Sequence, residues 1–362
     1  MNGKKRVTQS LKRSATDRVP IFMWYHPGTL ARLAQLLELP THLVGLAMGN
    51  DICMTWVNNN YAMEGVVHQH DGEGHLDEWG IGWEKKGAFN QICRSPIAEL
   101  HADEIVRYTF PYGELDNLLA RMNPLLAQSD DMFLGCDVSP CVFEMYNRLR
   151  GMQQAMLDLA LHPKAAYKMM GRCADFAATL SQQAIGRFPL DMLWTGDDVA
   201  SQRSMLMSPT AWRDLIKPHL AGVTSIAKQK GLWVAYHCCG SIPEIIEDLI
   251  EIGVDILNPI QYGCPGMEAR SLKAQYGSRL AFMGGVDTQD QLPRATALEV
   301  ANTTARLIDT MTAGGGGYIL AASHTIPPET PMRNIFAMYE AAGLARSEIM
   351  DNAATLRAKS RG

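Results

Sequence analysis

Leu232–Gln261 reads LWVAYHCCGSIPEIIEDLIEIGVDILNPIQ. An unbroken apolar run, Leu232–Tyr236, leads into a polar corner. Ile242–Ile252 follows with helical spacing and stops at Gly253, and a second apolar run, Val254–Leu257, comes next. Short apolar runs without alternation suit strands covered on both faces, as parallel strands are. Strand, helix and strand in that order make a βαβ unit.

The same rhythm extends in both directions. Six further runs read as strands: Val19–Trp24, Ile52–Val57, Met132–Val138, Leu190–Trp194, Leu280–Met283 and Tyr318–Ala321. Helical segments are expected at Gly28–Leu46, Arg150–Phe188, Ser208–Lys230, Met267–Tyr276, Thr296–Ala313 and Pro331–Asp351. Ser208 is placed to cap its helix, with Pro209 in the first turn. A polar N-terminal helix is expected to end at Asp17. Eight strands alternating with helices predict an α/β fold, a (β/α)8 TIM barrel with its chemistry at the C-terminal strand ends. The chain is read as a single domain over 1–362. One stretch breaks the rhythm: Asn58–Asp131 is too long for one connection and is read as an insertion after the second strand, a hairpin-like lid or wall plus a helix. A G-x-G-x-x-G fingerprint is absent, and Gly314–Gly317 precedes a strand, so it reads as a tight helix-to-strand turn.

Bulk properties exclude several classes. Net charge is −5, and no Lys/Arg stripe stands out, which argues against a nucleic-acid partner. The first residues lack the apolar segment of a secretion signal, and no run of about 18 apolar residues spans a membrane. A cytoplasmic location is therefore expected, with the eight cysteines reduced.

The strand ends carry polar side chains: Tyr25 and His26; Asn58 to Asn60; Asp137; Asp197 and Asp198; His237 and Cys239; Asn258 and Gln261; Asp287; Ser323 and His324. In His237-Cys238-Cys239-Gly240 the alternation of a strand turns His237 and Cys239 the same way and Cys238 the other, to pack. An imidazole and a thiol so placed can give zinc two ligands, and the barrel can bring His324 from the eighth strand as a third. Glu73, Asp255, Asp287 and Cys264 are other possible donors; substrate binding alone, without metal, is the competing reading. Of Asp197 and Asp198, one should face the mouth and the other cap the following segment, with general base, substrate anchor or metal neighbour as the open roles. Catalytic roles are expected for Asp197, His237 and His324. Substrate contacts are expected from Tyr25, His26, Asp137, Asp198, Asn258, Gln261 and Asp287.

His237–Ile242, Gly253–Gln261, Gly284–Gln289 and Gly316–Leu320, with Leu149–Met152, Gly196–Asp198 and Pro331–Ile335, resemble the uroporphyrinogen decarboxylase superfamily. The resemblance spans roughly residues 15–345 and implies a (β/α)8 barrel. Decarboxylases carry an Arg-rich R-Q-A-G-R segment after the first strand; here Trp24–Thr29 has no arginine. The methyltransferase branch carries a His-x-Cys zinc pair, matched by His237 and Cys239. It also carries a Cys after the last strand, where this chain has His324, as the decarboxylases do. The resemblance therefore implies a corrinoid-dependent methyltransferase assisted by Zn2+. The methyl group would move between a small substrate, a methoxy-aromatic compound, methylamine or thiol, and cobalamin. O-demethylation within one-carbon metabolism is the favoured direction, because an imidazole-rich site suits Lewis-acid activation. No D-x-H-x-x-G motif occurs, so the cobalamin would come on a partner corrinoid protein. A homodimer is compatible with the resemblance. Two alternatives remain: a metal-free lyase acting on a small carboxylate through Asp197, His237 and His324, and a silent binder of tetrapyrrole or corrinoid.

Overall fold

The computed structural model describes residues 1–59 and 68–361; Asn60, one of the expected strand-end residues, lies outside them. The strands are β1 Ile52–Trp56, β2 Gly74–Leu76, β3 Gly82–Lys86, β4 Phe89–Arg94, β5 Phe133–Asp137, β6 Met192–Gly196, β7 Trp233–His237, β8 Ile256–Ile260, β9 Ala281–Val286 and β10 Tyr318–Ala322. Seven of them form one sheet in the order β1-β5-β6-β7-β8-β9-β10, and β2-β3-β4 form another. Neighbours β5–β6, β6–β7, β8–β9 and β9–β10 run parallel. Every residue of β5, β6, β8, β9 and β10 is buried, which is why these strands read as continuous apolar runs rather than alternating ones. With helices between successive strands, this is a TIM-barrel-like α/β fold.

By internal contacts the chain divides into two compact units. One is Met1–Cys53, Gln128–Leu134 and Ile256–Gly362; the other is Met54–Ala127 and Gly135–Asp255. In the first, the expected strand Val19–Trp24 is replaced by two isolated parallel bridges, Ile21 to Leu320 and Tyr25 to Ile326. Pro20 has no N–H to give. Ile21 donates its N–H to Asp51 Oδ2 at 2.8 Å, and the Asn50 side chain takes both backbone groups of Met23. The segment nevertheless fills a strand's place beside β10: Phe22 N–H donates to Leu320 O at 2.9 Å and Leu320 N–H to Pro20 O at 2.8 Å. On its other side Asp51 N–H donates to Ile21 O at 2.7 Å, at the entry to β1.

Helix boundaries move for local reasons. The first helix is Gly3–Leu11 and stops well before Asp17, whose carboxylate instead pairs with Arg6 at 2.6 Å. Gly28–Leu46 splits into Pro27–Leu37 and Thr41–Ala47 around Glu38, held at φ 53°. Ser208 caps as expected, accepting from Ala211 N–H at 3.1 Å, but Pro218 divides the segment into Pro209–Leu215 and Lys217–Gln229. Gly343 at φ 83° likewise separates Met332–Ala341 from Arg346–Arg361. β8 runs on to Ile260, so Asn258 lies within the strand rather than after it.

The insertion belongs to the second unit. Its antiparallel sheet β2-β3-β4 turns at Asp77–Gly80, where Asp77 Oδ1 accepts the N–H groups of Trp79 and Ile81, both at 2.9 Å. Trp79 packs edge-on against Phe176 of the helix Pro163–Arg187, ring centroids 4.5 Å apart. The expected helix is the short Leu115–Ala120. No helix among the described residues is long and apolar enough to cross a membrane.

Candidate active site

In the second unit, β7 ends at His237 and the chain turns back at Gly240. Gly240 has φ 97°, and a Cβ there would fall 2.3 Å from Ser201 O, so only glycine lets the corner close. His237 and Cys239 share a face: His237 Nε2 lies 3.5 Å from Cys239 Sγ. Cys238 points away and is fully buried, its sulfur accepting Val199 N–H at 3.4 Å. On β6, Gly196 pairs in register with His237, and a Cβ at 196 would meet His237 Cβ and O at 3.1 Å. The glycine thus admits the imidazole.

Asp197 and Asp198 diverge. Asp198 Oδ1 accepts Cys239 N–H at 2.8 Å and lies 3.9 Å from His237 Nε2. Asp197 is fully buried, and its Oδ1 accepts Val142 N–H at 2.8 Å and Glu144 N–H at 3.0 Å, capping the helix Phe143–Arg150. The carboxylate beside the imidazole–thiol pair is therefore Asp198, and Asp197 holds the helix next to it. Asp137, ending β5, spends Oδ1 on the N–H and hydroxyl of Ser139, at 2.8 and 2.5 Å.

Asp197 Oδ2 is buried without a hydrogen-bond partner among the described residues. Burial is the largest influence on this carboxyl; it outweighs the two backbone donors, with help from Glu144 and Asp198, and holds it well above the ordinary value of 3.8. A raised carboxyl keeps its proton in the folded protein where the unfolded chain has lost it. Its contribution to stability is thus full below 3.8 and declines as pH rises towards the folded value. Asp197→Asn should remove that decline. Urea titrations from about pH 5 to 8 are expected to show wild-type stability falling with pH more steeply than the variant's; parallel curves would contradict the assignment.

Two residues not singled out in the sequence complete this cluster. Glu144 Oε2 accepts Asp198 N–H at 3.2 Å, and its Oε1 pairs with Arg148 at 2.5 Å. Arg148 also donates to Asn59 Oδ1 at 2.5 Å; Asn59 Nδ2 donates to Asp77 Oδ2, which takes Trp83 Nε1–H at 2.7 Å. A buried polar chain thus joins the insertion's turn to Asp198. The legible signal was an acid and a base four apart in the first turns of a helix that begins just after a strand end.

The other donors considered lie elsewhere. Asp255 precedes β8, where Lys228 Nζ and Val234 N–H engage its carboxylate at 2.8 Å each. Glu73 is exposed in the insertion and accepts the N–H groups of Gln69 and His70. In the first unit, the Tyr25 hydroxyl turns to that of Tyr339 on the helix Met332–Ala341. His26 Nδ1 accepts Gly28 N–H at 3.0 Å as a helix cap. Asn258 Nδ2 donates to Met283 O at 3.4 Å, and the Cys264 thiol to Gln261 Oε1 at 3.8 Å. Asp287 caps the turn after β9 through the N–H groups of Gln289 and Asp290. His324 follows β10.

A tetrahedral zinc with nitrogen at about 2.0–2.1 Å and sulfur at about 2.3 Å has an N···S edge of about 3.6 Å. The 3.5 Å between His237 Nε2 and Cys239 Sγ fits that edge, and the soft donor set fits the ion. His237 and Cys239 are thus the residues of the second unit suited to hold such a metal.

Strand order defines a TIM-barrel-like α/β fold with an imidazole–thiol pair at a C-terminal strand end. A family model described as "Uroporphyrinogen decarboxylase (URO-D)" matches residues 139–343. The chain belongs to this family. No curated protein matches it. Among solved structures, a methyltransferase from Methanosarcina mazei superposes with a TM-score of 0.66 at 16% identity, covering 95% of this chain and 98% of that one. SrfJ from Salmonella typhimurium gives 0.43 at 8% identity, covering 86% and 66%. An endo-β-1,4-xylanase from Gloeophyllum trabeum gives 0.39 at 9%, covering 68% and 84%. The first of these likenesses extends to the fold of the whole chain.

Proposed function

We propose that this chain is a corrinoid-dependent, zinc-assisted methyltransferase that takes a methyl group from a small methylated substrate, such as a methoxy-aromatic compound, for transfer to cobalamin on a partner protein. One observation carries the reading: His237 Nε2 and Cys239 Sγ stand 3.5 Å apart at the end of β7. His237 and Cys239 would hold the ion, and His324, at the end of β10, is the third donor in this reading. When bound, zinc would supply Lewis-acid polarisation of the leaving oxygen. The remaining work falls to the chain. Asp198 accepts the Cys239 N–H and so fixes the thiol's direction. Glu144 and Arg148 brace Asp198 from behind, and Asp197 holds their helix in place. Two imidazoles and one thiolate carry less negative charge than two thiolates and one imidazole, which favours polarising an oxygen over activating a bound thiol.

The test is methyl transfer with a labelled methoxy-aromatic donor and cob(I)alamin. Zinc-loaded protein is expected to yield labelled methylcobalamin, seen by its absorption spectrum. Label retained on the donor across a panel of methylated compounds, with carbon dioxide released from a small acid by zinc-free protein, would replace this reading with a lyase.

A further inference from the structure

A cavity lies in the first unit, at the opposite end of β9 and β10 from His324. It is an opening of about 690 Å³ between the helices Ala269–Tyr276 and Ala297–Thr312, bordered by Gly277 and Gly314 on the approaches to the two strands. That volume falls in the ~300–1,000 Å³ range of small-molecule sites. Arg13, Arg270 and Lys273 line it, and among the described residues no carboxylate does. On a chain of net charge −5 this is a marked local excess of positive charge.

Two of the three cations are fixed in the wall. Lys273 Nζ donates to Gly316 O at 2.5 Å, and Arg13 Nε to Gly277 O at 2.8 Å. Arg13 is held at φ 57°, a backbone conformation that favours glycine, at the end of the first helix. Burial, and then the positive charge of Arg13, hold the Lys273 ammonium below its usual range. Half-buried like charges facing one opening repel each other, and an anion bound between them would relieve this. Bracing of helix C-termini accounts for part of this arrangement, since cations are favoured there. It does not account for Arg270. That residue sits in the first turn of its helix, where the dipole disfavours a cation, and three residues before Lys273, a like charge on the same face. A Cβ on Gly314 would meet nothing within 4 Å, so the wall is open on that side.

We propose that this cavity binds a small phosphate-bearing anion. A guanidinium fork and a lysine point charge on neighbouring turns suit the several oxygens of a phosphate better than a single carboxylate. The site is independent of the methyl-transfer reading. It lies in one unit and shares no residue with the imidazole–thiol pair.

Titration calorimetry of the full chain with inorganic phosphate, and separately with a simple phosphomonoester, tests this at about 0.15 M salt, where exposed charges are well screened. One saturable site per chain is expected. Tighter binding of the monoester would assign an organic phosphate, and equal binding the free ion. Arg270 is exposed, so Arg270→Ala should fold normally, and it should weaken binding about tenfold or more. Lys273→Met should do the same, and neither should change zinc content. Absence of saturable binding in wild type, or undiminished binding in Arg270→Ala, would overturn the proposal.

Discussion

Cys239→Ala is expected to lower zinc affinity by more than about 100-fold, since even outer-shell changes at metal sites cost 10- to 100-fold, and to abolish methyl transfer. The effect should be large because the pair is small. With the thiol gone, His237 is the one member of the pair left, since Cys238 packs on the opposite side. The fold should survive: Cys239 is only partly buried, and its backbone N–H, which Asp198 receives at 2.8 Å, is unaffected. Cys238→Ala is the matched control. It removes a fully buried sulfur on the opposite side of the strand, so stability should fall by about 1 kcal/mol while zinc binding and turnover persist. Metal analysis after dialysis and the methyl-transfer assay separate the two variants. Equal loss in both would mean that the strand corner matters rather than the thiol.

Asp51→Ala should give the largest loss of stability, about 3–5 kcal/mol, because it leaves partners of a buried ion pair uncompensated. The Asp51 carboxylate is almost fully buried. It pairs with Arg6 and with Arg18 at 2.7 Å, and it accepts the Ile21 N–H at 2.8 Å. The residue therefore neutralises the Arg18 guanidinium, shares Arg6 with Asp17, and fastens the segment that fills the strand place beside β10. Removing it strands the Arg18 charge, leaves Arg6 to Asp17 alone and frees that segment together. A fall in the unfolding midpoint of about 4–7 °C is expected by calorimetry. Asp51→Asn, which keeps an acceptor for Ile21 but not the charge, should fall between wild type and Asp51→Ala. A midpoint within a degree or two of wild type for Asp51→Ala would show that this cluster does not hold the segment.

The parts of the fold that were legible are those where local pattern and tertiary burial agree. β5, β6 and β10 are buried along their whole length, so their apolar runs mark them with little ambiguity. Val19–Trp24 has the same composition, yet it forms only bridges. Side chains of Asn50 and Asp51 take backbone groups that a ladder would have used, and no local pattern in the segment signals that. The end of β8 is hidden in the sequence because Asn258 and Pro259 look like a stop and are instead inside the strand.

The site divides the same way. Strand alternation alone places His237 and Cys239 on one face, because a period of two needs no knowledge of distant residues. It also separates Asp197 from Asp198, but cannot say which faces the imidazole. That depends on the helix Phe143–Arg150, whose N–H groups claim Asp197. Tyr25 and Asp287 mark strand ends in sequence, yet the structure turns one to Tyr339 and the other to its own following turn. Glu144 and Arg148 were missed because their importance comes from contacts with Asp198 and Asn59, far off in sequence.

X-ray absorption at the zinc edge on the purified, dialysed protein tests the central claim most directly. About one zinc per chain is expected, with one sulfur near 2.3 Å and two imidazole nitrogens near 2.0–2.1 Å, the sulfur signal vanishing in Cys239→Ala and one nitrogen in His324→Ala. A protein that retains no zinc, or holds it through oxygen alone, would contradict the account.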